Sequence, residues 1–263
     1  MTLFRGKEGL LAFGDHDLAE RQADILKEFQ RRHPGADDIS LTGGLTQTAS
    51  VAVQETRSTP ERVKVYPEIS LDEELIRQTR IIIERVAIPL GISSQDAILP
   101  SSFPERPEFF NDENSVPVIV PKFLFPWGRV VDAASLEMSD YLRGRLSELG
   151  TWKDPRGIVT PDKSYGAWLY VGNDYLYRKP SDVRSEIPQG LRAGDHWDGL
   201  GLAVVREDIV RAKWFDLIGG GVGRGGMPCV RWWDDRPRFV CFSDQDAAPG
   251  FRSLVAGSQF KVK

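Results

Sequence analysis

The chain has 263 residues, 41% hydrophobic and 27% charged, a balance that supports a large buried core and excludes wholesale disorder. A net charge of -4 gives no long-range field toward nucleic acid or an anionic membrane, and no apolar run approaches the ~18 residues of a membrane helix. Arg5, Lys7 and Glu8 interrupt what would have to be the hydrophobic segment of an export signal, so the expected setting is soluble and cytoplasmic.

Leu10 to Phe13, closed by Gly14, predict a strand or strand pair at the start of the chain. Asp17 and Glu20 form a capping box ahead of Leu18, Ile25, Leu26 and Phe29, which line one face of a helix ended by His33, Pro34 and Gly35. Val51 and Val53, then Val63 and Val65, alternate with smaller or polar residues and predict a half-exposed hairpin. Ser70 and Glu73 open a second helix, with apolar positions from Leu71 to Val86, which Pro89 and Gly91 stop. Residues 93–115 turn to prolines and polar side chains. The whole chain reads as one domain over 1–263, and this stretch would be the link if it divides into subdomains 1–92 and 116–263.

Val116 to Phe125 is apolar but carries Pro117 and Pro121, which predicts an edge strand. A third helix is expected from Ser135 to Leu149, ended by Gly150, and a hairpin over 165–178 turning at Gly172, Asn173 and Asp174. A short helical turn is expected within 181–191 and a strand from Leu200 to Val205. A helix follows from Arg206 to Ile218, with Ile209, Val210, Trp214 and Leu217 on one face. Pro228 to Trp233 and Arg238 to Phe242 read as two strands of a hairpin. Cys229 and Cys241 sit one on each strand and are expected to be two buried thiols rather than a bridge. Strands and helices mix without regular alternation, so the fold class is α+β: mixed, mainly antiparallel sheets packed by three to four helices.

Residues 195–242 gather four of the seven tryptophans, both cysteines and one of the three histidines. His196 and Asp198, two residues apart, would project to one side of an extended segment, as a metal site requires. The spacing resembles the first two ligands of a facial-triad oxygenase. His16, beside Asp15 and Asp17, is the candidate third ligand of a divalent metal, and His196 and Asp198 are the candidate catalytic groups. Cys229 with His196 as base is a further conceivable nucleophile.

The glycine run Gly219 to Gly226 matches a dinucleotide fingerprint in spacing, but it follows a helix and precedes a strand, the reverse of what that fingerprint needs. Helix, glycine-rich loop, strand is similar to the glycine loops of the ferredoxin-like RNA-binding subunits of CRISPR complexes. That resemblance implies phosphate contacts from backbone amides at Gly221 and Gly223 and from Arg224. Ten basic against nine acidic residues from Asp195 onward do not favour an RNA footprint.

Adjacent Trp232 and Trp233 on a strand should face opposite ways, one to the core and one outward, beside Arg231, Asp234, Asp235 and Arg236. Tryptophan with arginine is the composition of a protein interface. The leading expectation is therefore a binding protein whose Trp- and Gly-rich C-terminal surface recognises a partner protein or ligand. Its contact residues would be Trp197, Gly221, Gly223, Arg224, Arg231, Trp232 and Trp233. The alternatives are a metal-dependent hydrolase or oxygenase centred on Asp195, His196 and Asp198, and an RNA-binding subunit using the glycine loop.

Overall fold

The computed structural model describes the backbone of residues 2–6 and 9–13, and residues 69–257 apart from 157, 159, 224 and 246–249. The chain divides into two compact units, Met1–Val63 and Lys64–Lys263. In the first, β1 (Thr2–Gly6) and β2 (Gly9–Phe13) pair antiparallel, with Thr2 opposite Phe13 and Gly6 opposite Gly9. The helix expected from Asp17, the hairpin over 51–65, and His16 and His33 lie outside the described residues.

The second unit opens with α1 (Leu71–Ile82). Ser70 accepts from the Glu73 amide and Glu73 accepts from the Ser70 amide at 2.9 Å, so two of the helix's orphan donors are satisfied reciprocally. The helix runs on through a π-helical turn, Ile83–Ala87. Next come β3 (Ser115–Val120), α2 (Trp127–Ala133), β4 (Glu137–Met138), α3 (Asp140–Gly144), β5 (Leu149–Thr151) and β6 (Tyr165–Tyr170). The chain continues through α4 (Pro180–Glu186), β7 (Leu191–Ala193), α5 (His196–Val205), α6 (Glu207–Ala212), β8 (Trp214–Asp216) and β9 (Gly220–Val222). It ends in β10 (Gly226–Trp233), β11 (Arg236–Ser243), β12 (Phe251–Ser253) and β13 (Val255–Gly257).

The described strands of the second unit form two sheets. One runs β12-β8-β10-β11-β4, with β9 also on β10 and β5 on β9; the β12–β8 and β11–β4 pairs are parallel and the rest antiparallel. The other is β3-β6-β13-β7 and is antiparallel throughout. This is an α+β fold with mixed, mainly antiparallel sheets. Alternation along the long β10–β11 hairpin serves two cores at once. Val230 and Phe239 enter a cluster with Ile82, Val118, Leu200 and Phe215, while Met227, Cys229, Val240 and Phe242 enter one with Trp168, Tyr170 and Phe251. Cys229 lies opposite Val240 and Cys241 opposite Pro228, so the thiols point to opposite faces and do not form a disulfide.

β3 is an edge strand, as its prolines predicted, and a side chain covers the edge. Gln78 of α1 donates to the Pro117 carbonyl at 2.8 Å and accepts from the Ile119 amide at 2.7 Å, making the two bonds that a neighbouring strand would make. Buried Glu74 accepts from the same Gln78 nitrogen at 2.7 Å and fixes the amide's orientation.

Several elements differ from the sequence expectation. The helix expected over 135–149 is broken at Ser135, whose φ is 55°. Glu137–Met138 instead extends the sheet beside Arg238 and Phe239, because strand pairing satisfies backbone groups that an exposed helix start would leave to water. Gly150 accordingly sits inside β5. The hairpin over 165–178 does not form: β6 takes β3 and the distant β13 as neighbours, and Leu176 makes only a single bridge to Arg252. Residues 200–205 are helical, since a continuous apolar run has no period and α5 is buried on every side. The helix from Arg206 stops at Ala212, after which Lys213 turns extended and leads into β8.

Candidate functional site

The constellation at Asp195, His196 and Asp198 is the N-terminus of α5. Asp195 Oδ1 accepts from the backbone amides of Trp197 and Asp198 at 2.8 and 3.1 Å, and Asp198 Oδ2 accepts from the Asp195 amide at 2.8 Å. This is the same reciprocal cap that Ser70 and Glu73 form on α1, here built from two aspartates. Around it lies a buried polar knot. Arg192 of β7 donates to Asp198 Oδ2 and Oδ1 at 2.5 and 2.7 Å, and the Tyr165 hydroxyl of β6 donates to Oδ1 at 2.9 Å. Thr160 donates to Asp195 Oδ2 at 3.3 Å.

Burial fixes the charge states. It opposes the charge on Arg192, but Asp198 and Tyr165 outweigh it and hold the guanidinium protonated. Burial, then the Asp198 charge, pushes the Tyr165 phenol well above its usual range, so it stays a donor. Burial and the Asp198 charge also raise the Asp195 carboxyl, against the pull of Arg192. His196 is driven down to about 3 by burial and by Lys122, against the smaller pull of Asp198, so its imidazole is neutral at neutral pH. Its ring packs edge-on to Trp127 at 5.6 Å, and its buried Nδ1 has no hydrogen-bond partner among the described residues. Lys122 donates to the Pro161 carbonyl at 2.6 Å, with its ammonium 5.9 Å from the Trp197 ring.

The extended arrangement that would aim His196 and Asp198 one way is not formed. They are the first and third residues of a helix, about 200° apart around its axis, and both Asp198 oxygens are bonded within the protein. Among the described residues no group of three His, Cys, Asp or Glu is placed to hold a metal. Cys229 is fully buried, and its thiol meets Asp216 Oδ1 at 3.1 Å.

The glycine run is packed against backbone at both ends, at Gly219 and Gly226, and is open at Gly221 between them. A Cβ on Gly219 would come 2.6 Å from the Ala193 carbonyl, whereas one on Gly221 would meet nothing within 4 Å. The Gly219 amide donates to the Gly194 carbonyl and its own carbonyl accepts from Trp152, both at 2.8 Å, which ties β9 to β7. Gly223 has φ 57° and turns the chain; Arg224 lies outside the described residues.

The hairpin tip differs in character. Asp234 and Asp235 turn β10 into β11 with φ 43° and 67°, both left-handed, as a two-residue turn with the native twist requires. Trp232 and Trp233 precede them on opposite faces. Neither is fully buried, where the sequence suggested one in and one out. Arg211 of α6 lies over the Trp232 ring at 4.4 Å, and Arg231 lies over Trp233 at 4.5 Å. Arg231 is 1% exposed and so supports Trp233 from beneath; Trp197 is likewise buried. Exposed Arg211 and half-buried Arg238 flank the tip, and neither has a carboxylate partner among the described residues.

The structure thus separates the sequence candidates into three places: a closed knot holding His196, Trp197 and Asp198, a short strand with open space at Gly221, and an open tip holding Trp232 and Trp233. Arg192 and Tyr165 were not singled out by sequence; no short motif links them to Asp198. Among the described residues no helix is long and apolar enough to cross a membrane. No protein-family model matches this chain, and no curated protein or solved structure matches it.

Proposed function

We propose that the protein is a binding protein without chemistry of its own, which docks a carboxylate-bearing protein partner on the tip of the β10–β11 hairpin. The observation that carries this reading is the pair of half-buried tryptophans on opposite faces of the tip, each stacked with an arginine. Large rigid rings add contact area at low entropic cost, and guanidinium groups above or beside them add directed donors. Arg211 and Arg238, which meet no carboxylate among the described residues, supply the charge that a partner's acidic groups would meet. Asp195 and Asp198 are 0% exposed and His196 is 6% exposed, which favours the binding reading over the catalytic one.

The test is affinity capture from the source cell lysate with the wild-type chain, a Trp232→Ala/Trp233→Ala variant and an Arg211→Glu variant, each checked for native circular dichroism. A partner that is retained by the wild type, lost from both variants and released by raised salt is the expected result. Variants that keep their fold and retain the same partner would overturn the reading.

A further inference from the structure

Away from the hairpin tip, two basic side chains converge with no acidic residue between them among the described residues. In the parallel pair of β8 and β12, Arg252 lies in register with Phe215. Lys213 stands two residues before Phe215, so strand alternation directs Lys213 and Arg252 to one face of that edge. Their charged ends reach the same loop: Lys213 Nζ donates to the Val171 carbonyl at 2.7 Å, and Arg252 Nε donates to Asn173 Oδ1 at 3.0 Å. Neither meets a carboxylate among the described residues. Asp174, the acidic residue of that loop, instead accepts from the Tyr170 hydroxyl through Oδ2 at 2.5 Å.

Both cations are half-buried. Burial, then the neighbouring Arg252 charge, brings the Lys213 ammonium down to about 8, and burial lowers the Arg252 guanidinium. Two like charges held together and partly desolvated oppose folding unless a counter-charge joins them. Donor capacity is left for one. Lys213 has three N–H bonds, one of them spent on Val171, and Arg252 offers its two terminal nitrogens, one in a long 3.4 Å contact to the Gly250 carbonyl. Asn173 and Tyr177 at the rim are exposed, so the place is open to solvent.

We infer that Lys213 and Arg252, over the 171–177 loop, form a binding site for a phosphate group. A fork-shaped guanidinium beside a compact ammonium suits a tetrahedral oxyanion with several acceptor oxygens.

Inorganic phosphate is titrated calorimetrically at fixed ionic strength, with chloride as the control, into the wild type, Lys213→Met and Arg252→Gln. Saturable binding to the wild type that weakens by about tenfold or more in each variant supports the site. O-phosphoserine, as a second probe, distinguishes the source. Equal affinity indicates free phosphate, tighter binding indicates a phosphate monoester on a larger molecule, and both support the site. Each substitution removes one of two repelling charges, so each variant is expected to melt no lower than the wild type without phosphate. Should Arg252→Gln fail to fold, Arg252→Lys keeps the charge without the fork and is expected to bind more weakly. No saturable heat with the wild type, or unchanged affinity in the folded variants, overturns the assignment.

Discussion

Arg192 closes on both oxygens of Asp198 with bonds of 2.5 and 2.7 Å, joining β7 to the first turn of α5 inside the core. Removing one partner of such a pair leaves the other charge buried and uncompensated. Asp198→Asn or Arg192→Gln is therefore expected to cost about 3–5 kcal/mol in urea unfolding. Arg192→Met combined with Asp198→Leu should cost less than the sum of the two single changes, because neither charge is then stranded. Additive losses would show that the pair contributes nothing jointly.

The neutral state of His196 sets a pH dependence. Its folded value of about 3 lies below the ordinary 6.5, so between those values the unfolded chain binds a proton that the folded chain refuses. Stability from this group is full above pH 6.5 and is lost as pH falls toward 3. Asp195, raised in the fold by burial, acts in the opposite sense: its folded form takes up a proton first, so its contribution grows as pH falls. His196→Asn should lose less stability than the wild type between pH 7 and pH 4, and Asp195→Asn should lose more. Unfolding curves at the two pH values check both.

Two glycines only two positions apart in the chain should respond differently to one methyl group. Gly219→Ala drives a Cβ against the fixed Ala193 carbonyl and is expected to destabilise by about 2 kcal/mol or more, whereas Gly221→Ala enters open space and should change stability by less than about 1 kcal/mol. Equal losses at both positions would mean that the glycine run is held by something other than close backbone packing.

Gln78→Leu removes both bonds that cover the β3 edge while keeping a similar volume. The Ile119 amide and Pro117 carbonyl are then left without their partner, at about 1–3 kcal/mol per stranded group. Faster hydrogen exchange at the Ile119 amide, measured beside two or three β6 amides as controls, is the expected readout.

Local chemistry was legible where a few neighbouring residues settle the backbone. Ser70 with Glu73 announced α1, the prolines of β3 announced an edge, and alternation around the tryptophan pair announced the β10–β11 hairpin. Asp195 and Asp198 carried a cap of the same kind as Ser70 and Glu73, yet beside a histidine the spacing read equally well as a ligand pair. Only the helical backbone, which turns His196 away from Asp198, separates the two readings.

The sequence by itself determined the α+β class, the capped helix α1 and the long C-terminal hairpin, because these depend on periodicity and on bonds closed within a few residues. Tertiary structure decided the rest. Arg192 and Tyr165 reach Asp198 from two strands of the four-stranded sheet, Gln78 covers Ile119 from 41 residues away, and Leu200 to Val205 become helix in the middle of the core. Burial and long-range pairing set those outcomes, and neither is written in any short stretch of chain: a carboxylate becomes a cap, a ligand or a surface charge according to what folds against it.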